Sequence, residues 1–311
     1  MKRPLLSIVA PVYNEEKSAG EFYRRLRTVL DANRYEAEIL FVNDGSSDGS
    51  LGLLLNLQKQ DSSVKIIDFS RNFGHQIAVK AGIDHAQGEA VVVIDTDLQD
   101  PPEAIPDLVA KWREGYDGVY AVRTRRRGET LFKKWTAALY YRLINRISQS
   151  PMPLDAGDFR LLSRRIADVI KEIHEKRPYV RGLVSWVGFK QTGVLIERDE
   201  RFAGKTKYPT RKMLALAWNG ITHFSFLPLQ LSTFVGILTS IVCFIWILHT
   251  LYVGLILKVA VPGWTSIMLA LLFLGSIQLI TLGILGSYLA RNYDETRSRP
   301  LYIVRSREGF E

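Results

Sequence analysis

The sequence predicts a layered α/β domain with a mostly parallel sheet, followed by two apolar helices long enough to cross a bilayer. Three observations lead there. Short Val- and Ile-rich runs alternate with stretches of helical spacing in the first third of the chain, the pattern of repeated strand-helix units. No Asp or Glu occurs between Glu200 and Asp294, so a region of mixed charge gives way to an apolar one. Inside that gap the runs 229–257 and 266–290 each exceed the ~20 apolar residues needed to cross a hydrocarbon core of roughly 30 Å.

Taken in order, strands are predicted over 5–10, 39–43, 64–69, 90–94 and 118–122, rich in Val and Ile and bounded by Gly, Asn, Asp or Pro. Helices are predicted over 15–32, 50–60, 76–86 and 102–114. In such sheets ligands sit beyond the carboxyl ends of the strands, so chemistry is expected in the loops that follow them. Another helical stretch, 130–147, is rich in Tyr and Arg, and the segment up to about residue 200 mixes short helices and strands of the same domain. Residues 210–226 place Met213, Leu214, Leu216, Ala217, Trp218 and Ile221 behind Arg211 and Lys212. That pattern suits an amphipathic helix lying in a bilayer interface, with Trp218 at headgroup depth.

The connection between the two long apolar runs carries one basic residue, Lys258. Arg211 and Lys212 precede the first run, and Arg291, Arg297, Arg299, Arg305 and Arg307 follow the second. By the positive-inside rule both termini and the α/β domain are expected on the cytoplasmic side of the membrane. The expected organisation is a cytoplasmic domain over 1–208, an interfacial region over 209–228, two transmembrane helices over 229–290 and a basic cytoplasmic tail over 291–311.

Composition removes several classes of function. The lone Cys243 permits neither an intrachain disulfide nor a multi-cysteine zinc site. Pro11, Asn14, Glu15 and Glu16 interrupt the apolar start too early for a signal-peptide core. The formal charge of +9 comes without a recognisable motif of interleaved basic and aromatic residues, which argues against nucleic acid and for phosphate substrates and anionic lipid. No GxGxxG follows a strand, which argues against a dinucleotide cofactor.

The strongest local signal is Ile94 to Gln99, at the end of a predicted strand. Asp95 and Asp97 lie two apart where the strand turns, so both carboxylates can converge on Mg²⁺ or Mn²⁺ and leave coordination sites open for phosphate. An acidic turn at a strand end is the plainer reading of the same residues. Asn43 and Asp44 end another strand; the Asp44 carboxylate suits a nucleotide base or ribose, or else forms an ordinary Asx turn. Arg201, Lys205, Lys207 and Tyr208 form a basic loop before the interfacial helix. Such a loop suits a lipid phosphate or a juxtamembrane segment held by anionic lipid, and both can hold together.

Six motifs then occur in a fixed order: Ala10 to Glu15 (APVYNE), Val42 to Asp48 (VNDGSSD), Ser70 to His75 (SRNFGH), Asp95 to Glu103 (DTDLQDPPE), Gly157 to Leu161 (GDFRL) and Arg201 to Tyr208 (RFAGKTKY). The ordered set resembles the polyisoprenyl-phosphate glycosyltransferases, is similar to the dolichol-phosphate mannosyltransferases and, with two C-terminal spans, looks most like the bacterial bactoprenol glucosyltransferases. The likeness covers almost the whole chain and does not specify the sugar.

The resemblance implies a Rossmann-like GT-A fold, a nucleotide-sugar donor, a divalent metal and inversion at the sugar carbon. It implies that Pro11, Tyr13, Glu15, Asp44 and Asp95 hold the donor and that Asp95, Asp97 and Gln99 surround the metal and diphosphate. Arg123 and Lys134 contact phosphate, with Lys134 standing where related enzymes often carry arginine. Asp97, Asp158 and Arg123 are the expected catalytic residues, and Lys134, Arg201, Lys205, Lys207 and Tyr208 are expected on the acceptor phosphate. Asp158 either orients or deprotonates that acceptor, or pairs with Arg160 or Arg164. A phosphate monoester has a second pKa of about 6, so it is largely a dianion at neutral pH and needs little help to attack.

Other residues are assigned plainer roles. His75, His85, His174, His223 and His249 lack ligand spacing and are expected to pack or lie on helix surfaces. Trp135 and Trp186 are expected in the core or facing membrane rather than under a sugar. Arg125, Arg126 and Arg127 face solvent or headgroups, or close over substrate.

The resemblance implies transfer of a single sugar to undecaprenyl phosphate, with glucose from UDP-glucose expected by likeness to the bactoprenol enzymes and galactose, mannose, acetamido sugars and modified arabinose left open. One rival is a processive polysaccharide synthase, disfavoured by the lack of a GlnxxArgTrp sequence and by only two spans. The other is an inactive membrane-tethered sugar-nucleotide-binding protein, disfavoured by the complete set Asp44, Asp95, Asp97 and Asp158. Gly275, Gly283 and Gly286 permit close helix packing, so a homo-oligomer is expected.

Overall fold

The computed structural model describes residues 5–123, 156–176, 178–196, 227–252, 256 and 263–310. The chain divides into two compact units, one of residues 1–145, 150–207 and 299–311, the other of residues 146–149 and 208–298.

In the first unit the order is β1 (Leu6–Val12), α1 (Ala19–Ala32), β2 (Ala37–Asn43), α2 (Ser50–Gln60), β3 (Val64–Phe69), α3 (His75–His85), β4 (Ala90–Val93), α4 (Ile105–Arg113, entered through a 3₁₀ turn Pro102–Ala104), β5 (Gly118–Arg123), β6 (Ala156–Ser163), α5 (Arg164–Glu172), α6 (Val180–Trp186) and β7 (Gln191–Ile196). The second unit contributes α7 (Leu227–Leu251) and α8 (Trp264–Thr296), after which β8 (Val304–Glu308) returns to the first.

All eight strands form one sheet in the order β7-β5-β6-β4-β1-β2-β3-β8. β1 pairs parallel with β2 and β4, β2 with β3, and β5 with β7; β6 is antiparallel to β4 and β5, and β8 to β3. The sheet is therefore mixed but mostly parallel. β4 is a continuous apolar run and β1 is one but for Ser7, as suits strands covered on both faces. Leu6, Ile8, Ala10 and Val12 of β1 pack with Phe22 and Leu26 of α1, Leu54 of α2 and Leu108 of α4. Val9, with Leu40, Val42 and Ile67, faces Ala78 and Val79 of α3, Ile166 of α5 and Val184 of α6 on the other side. This period-two division of one strand between two cores makes the three-layer sandwich.

The helix predicted from residue 15 starts only at Ala19. The cause is local: the backbone N–H groups of Glu15 and Glu16 are taken by Ser50 Oγ at 2.9 Å and Asp48 Oδ2 at 3.3 Å, and Asn14 sits at φ 55°.

The segment expected as a basic tail is corrected. Residues up to Thr296 continue α8, and Val304–Glu308 is an edge strand on β3. Its anchors are aromatic and polar: Tyr302 stacks on Phe69 at 5.0 Å between centroids and shares a hydrogen bond with Asp84, and Phe310 meets the His85 ring edge-on.

In the second unit α7 has 25 residues and α8 has 33. Among the described residues Phe273–Thr296 is long and apolar enough to cross a membrane, and Phe234–Trp246 is a shorter apolar stretch. Residues 210–226 and most of the connection 258–264 lie outside the described residues.

Candidate active site

Strand order reverses at β1, with β2 on one side and β4 on the other, and the crevice beyond such a switch point is where open α/β sheets bind ligands. Three loops meet there. The loop after β1 is stapled to the loop after β2, because Asn14 N–H donates to Ser46 Oγ at 3.0 Å and Ser47 N–H donates to Asn14 Oδ1 at 2.8 Å. Gly49 N–H closes the same seam on Glu16 Oε2 at 3.1 Å.

The β2 loop is held in turn by the loop after β3. Asp44 is buried, and its Oδ1 accepts from Phe73 N–H at 2.7 Å while Oδ2 accepts from Gly74 N–H and the Asn72 amide, each at 3.0 Å. Burial pushes its carboxyl up, against the pull of those backbone donors. Both oxygens are thus committed to tying two loops together. Gly45 must be glycine here: it has φ 64°, and a Cβ would lie 2.4 Å from the backbone of Arg71.

The acidic centre follows β4. Thr96 is buried and donates its hydroxyl to Pro11 O at 3.1 Å, which anchors the loop to β1 between the two aspartates. Asp97 Oδ1 accepts from Gln99 N–H at 3.1 Å across Leu98, whose φ of 61° marks a tight turn. Asp95 Oδ1 is buried without a hydrogen-bond partner. Burial raises the Asp95 carboxyl to about 6, against the attraction of His75.

His75, the first residue of α3, stands between two acids that are far apart in sequence. Its Nε2 lies 3.6 Å from Asp95 Oδ1 and 3.5 Å from Asp158 Oδ2. Asp158, on β6, also meets Arg181 of α6 at 3.2 Å. Burial would raise Asp158, but the hydrogen bond from His75 and the charges of Arg181 and Arg160 outweigh it and hold the carboxyl well below its usual range. Burial would lower His75; its hydrogen bond to Asp158 and the charge of Asp95 win and raise it to about 9.

Of the expected pairings of Asp158, neither is the hydrogen-bonded one. The Arg160 guanidinium donates to Gly157 O at 2.7 Å, and Arg164 caps the carbonyls of Ala86 and Gly88 and pairs with Asp168. His75, expected to pack or lie on a helix surface, does start a helix with a partly exposed ring, and that ring also stands between Asp95 and Asp158. The missed signal was its place at the start of α3, behind the Ser70 to Gly74 loop that grips Asp44.

Pro11 lies in β1 and Tyr13, 42% exposed, just beyond it. Glu15 Oε2 accepts from Ser18 Oγ at 2.7 Å. Arg123 ends β5. Lys134, Arg201, Lys205, Lys207 and Tyr208, with Trp135 and Arg125 to Arg127, lie outside the described residues. Trp186 is 61% exposed, hence not a core residue.

Residues 7–170, which span the three loops and the acidic centre, match the model of the family described as Glycosyl transferase family 2. Over 300 residues the chain is 42% identical to a prophage bactoprenol glucosyl transferase homolog of Escherichia coli, covering 96% of this chain and 98% of that one. Over 303 residues it is 40% identical to the bactoprenol glucosyl transferase of Shigella phage SfX, covering 97% and 99%. The chain belongs to the bactoprenol glucosyltransferase family. It is also 54% identical over 305 residues to the uncharacterized glycosyltransferase YkcC of Bacillus subtilis, covering 98% of this chain and 94% of the relative.

This glycosyltransferase has the GT-A-like mixed sheet that its family implies, with the acidic centre at the strand ends. Among the described residues no group of three or more His, Cys, Asp and Glu side chains is disposed to cage a metal. Within the acidic centre one buried carboxylate oxygen, Asp95 Oδ1, accepts no hydrogen bond.

Proposed function

We propose that this glycosyltransferase moves a single glucose from UDP-glucose to undecaprenyl phosphate, with inversion, at the cytoplasmic face of the inner membrane. The observation that carries the reading is the convergence of Asp95, His75 and Asp158 at the switch-point crevice. The names of the full-length relatives, bactoprenol glucosyl transferases, support the lipid acceptor and the sugar.

A divalent cation, Mg²⁺ or Mn²⁺, fits the donors present: a buried Asp95 oxygen that accepts no hydrogen bond, with Asp97 two residues on and Gln99 beside them. Mg²⁺ takes one or two carboxylates plus substrate phosphates rather than a full protein cage. When bound, the ion neutralises charge on the departing diphosphate.

The protein's own residues do the rest. Pro11 near the end of β1 and the stapled loops beyond it, with Tyr13 and Glu15, form the donor floor, with Asp44 acting by holding that floor together. Arg123 is proposed to stabilise the departing diphosphate. Asp158 stays ionised because Arg181 and His75 hold it so, which makes it a poor proton acceptor. It positions the acceptor, whose phosphate dianion attacks the anomeric carbon directly while the bond to the nucleoside diphosphate breaks. Holding the two anionic substrates in register can remove roughly 7–11 kcal/mol of barrier. Lys134, Arg201, Lys205, Lys207 and Tyr208 are proposed to receive the lipid phosphate. The interfacial helix, two spans over 229–290 and association of copies through Gly275, Gly283 and Gly286 complete the proposal.

The test is product analysis with labelled UDP-glucose, undecaprenyl phosphate and Mg²⁺. One sugar per lipid is expected, and Asp97→Asn should lower kcat by about a hundredfold, the loss typical of removing charge stabilisation. A growing polymer would favour a processive synthase, and donor binding without turnover an inactive binding protein. Full activity of Asp97→Asn at saturating metal would remove the metal role.

A further inference from the structure

We infer that the strap over residues 302–310 is a working part of the donor site, with Arg305 as its positioning residue. The inference rests on the donor floor proposed above. Arg305 Nη1 lies 3.5 Å from Asp68 Oδ2, and its Nη2 donates to Ser70 O at 2.9 Å. Asp68 is buried, and its other oxygen accepts from the Asn43 amide at 2.7 Å. The Asn43 side-chain oxygen accepts from Ser46 N–H at 3.4 Å, and Ser46 holds Asn14.

The strap therefore reaches two of the three loops. Through Asp68 and Asn43 it bears on the turn after β2. Through Ser70, whose N–H also donates to Ile303 O at 2.9 Å, it fixes the start of the segment Ser70 to Gly74 that grips Asp44. Tyr302 and Phe310 pin the strap on either side of Arg305, so the guanidinium is presented from a rigid strand. Arg305 closes a buried acid that would otherwise share only the Asn43 amide, and a buried carboxylate is costly without its partners.

Sequence alone pointed these C-terminal arginines toward lipid headgroups. The structure assigns this one to the nucleotide side of the catalytic sheet. A strand that follows the last apolar helix thereby stiffens loops formed near the N-terminus.

The test uses the full-length enzyme in detergent, comparing wild type with Arg305→Ala and Arg305→Lys. Readouts are the Kd for UDP by calorimetry, the KM for UDP-glucose, the KM for undecaprenyl phosphate and kcat. The Arg305 side chain is 58% exposed, so its removal leaves no core cavity. Arg305→Ala should raise the UDP Kd and donor KM by about five- to tenfold, the scale of one lost charge-assisted hydrogen bond, while kcat and acceptor KM stay within about twofold. Arg305→Lys should recover part of the loss.

An unchanged UDP Kd overturns the inference. So does a proportional fall of all activities with a lowered active fraction, which marks a merely structural strand. Wild type that binds UDP but makes no lipid-linked sugar overturns the transfer reading alone, and the strap is then judged on UDP Kd. Wild type that binds no UDP overturns the donor floor and the strap together.

Discussion

At the residue scale the site depends on one imidazole between two carboxylates. His75 touches Asp95 and Asp158, and partners of that kind typically affect metal affinity or activity by about 10–100-fold. His75→Ala should fall in that range, and His75→Gln, which keeps an N–H donor, should lie closer to wild type. The same contact sets a pH dependence in enzyme freed of metal with chelator. The folded pKa of His75 is raised to about 9 from an unfolded value of about 6.5. A raised histidine stabilises fully below the unfolded value and loses that contribution as pH rises through the folded one. The gap in melting temperature between wild type and His75→Gln should therefore narrow between pH 7 and 9.5, where Asp95 and Asp158 are both already ionised; a constant gap would break the pairing. Asp95 and Asp97 could be singled out because acids two apart just past a strand end stand out by spacing, and Asp158, inside β6, because it sits in a motif of the family. His75 was not, because its partners lie on β6 and after β4, and no local period encodes a contact made by folding.

At the element scale the strands were legible where burial on both faces wrote continuous apolar runs, as in β1 and β4. β8 was hidden for the opposite reason. Its residues Val304 to Glu308 carry one apolar side chain, and their pairing with β3 is made by backbone groups that side-chain pattern does not report. The placement of α3 is a close-packing matter: a Cβ on Gly82 would lie 2.1 Å from Val9 Cγ1, so this helix sits hard against the central strand. Gly82→Val should push α3 off β1 and cost about 1–3 kcal/mol, the usual range for overpacking. Because His75 and the Asp44-binding loop begin this helix, activity should fall further than the surviving folded fraction explains. Circular dichroism melts beside kcat would test it; activity that simply tracks folded protein would show that α3 does not set the site.

At the scale of the whole molecule, an α/β sheet of soluble type shares a chain with apolar helices whose side chains are exposed, among them Phe234, Leu238, Phe244, Leu271 and Leu279. At 1.5 Å per residue, α7 and α8 are about 37 and 50 Å long, enough to pass a hydrocarbon core of roughly 30 Å. Exposed leucine and phenylalanine on that scale is unfavourable in water and neutral in lipid. β8 returns to the catalytic sheet after α8, so residues up to 207 and residues from 299 share one unit and lie on one side of any bilayer that α7 and α8 both cross. The turn before α8 then lies on the other side. With Cys243→Ser removing the native thiol, Gly263→Cys should react with a membrane-impermeant maleimide in intact cells, and Arg307→Cys only after permeabilisation. Labelling of both positions from one side would mean that the helices do not span as a pair.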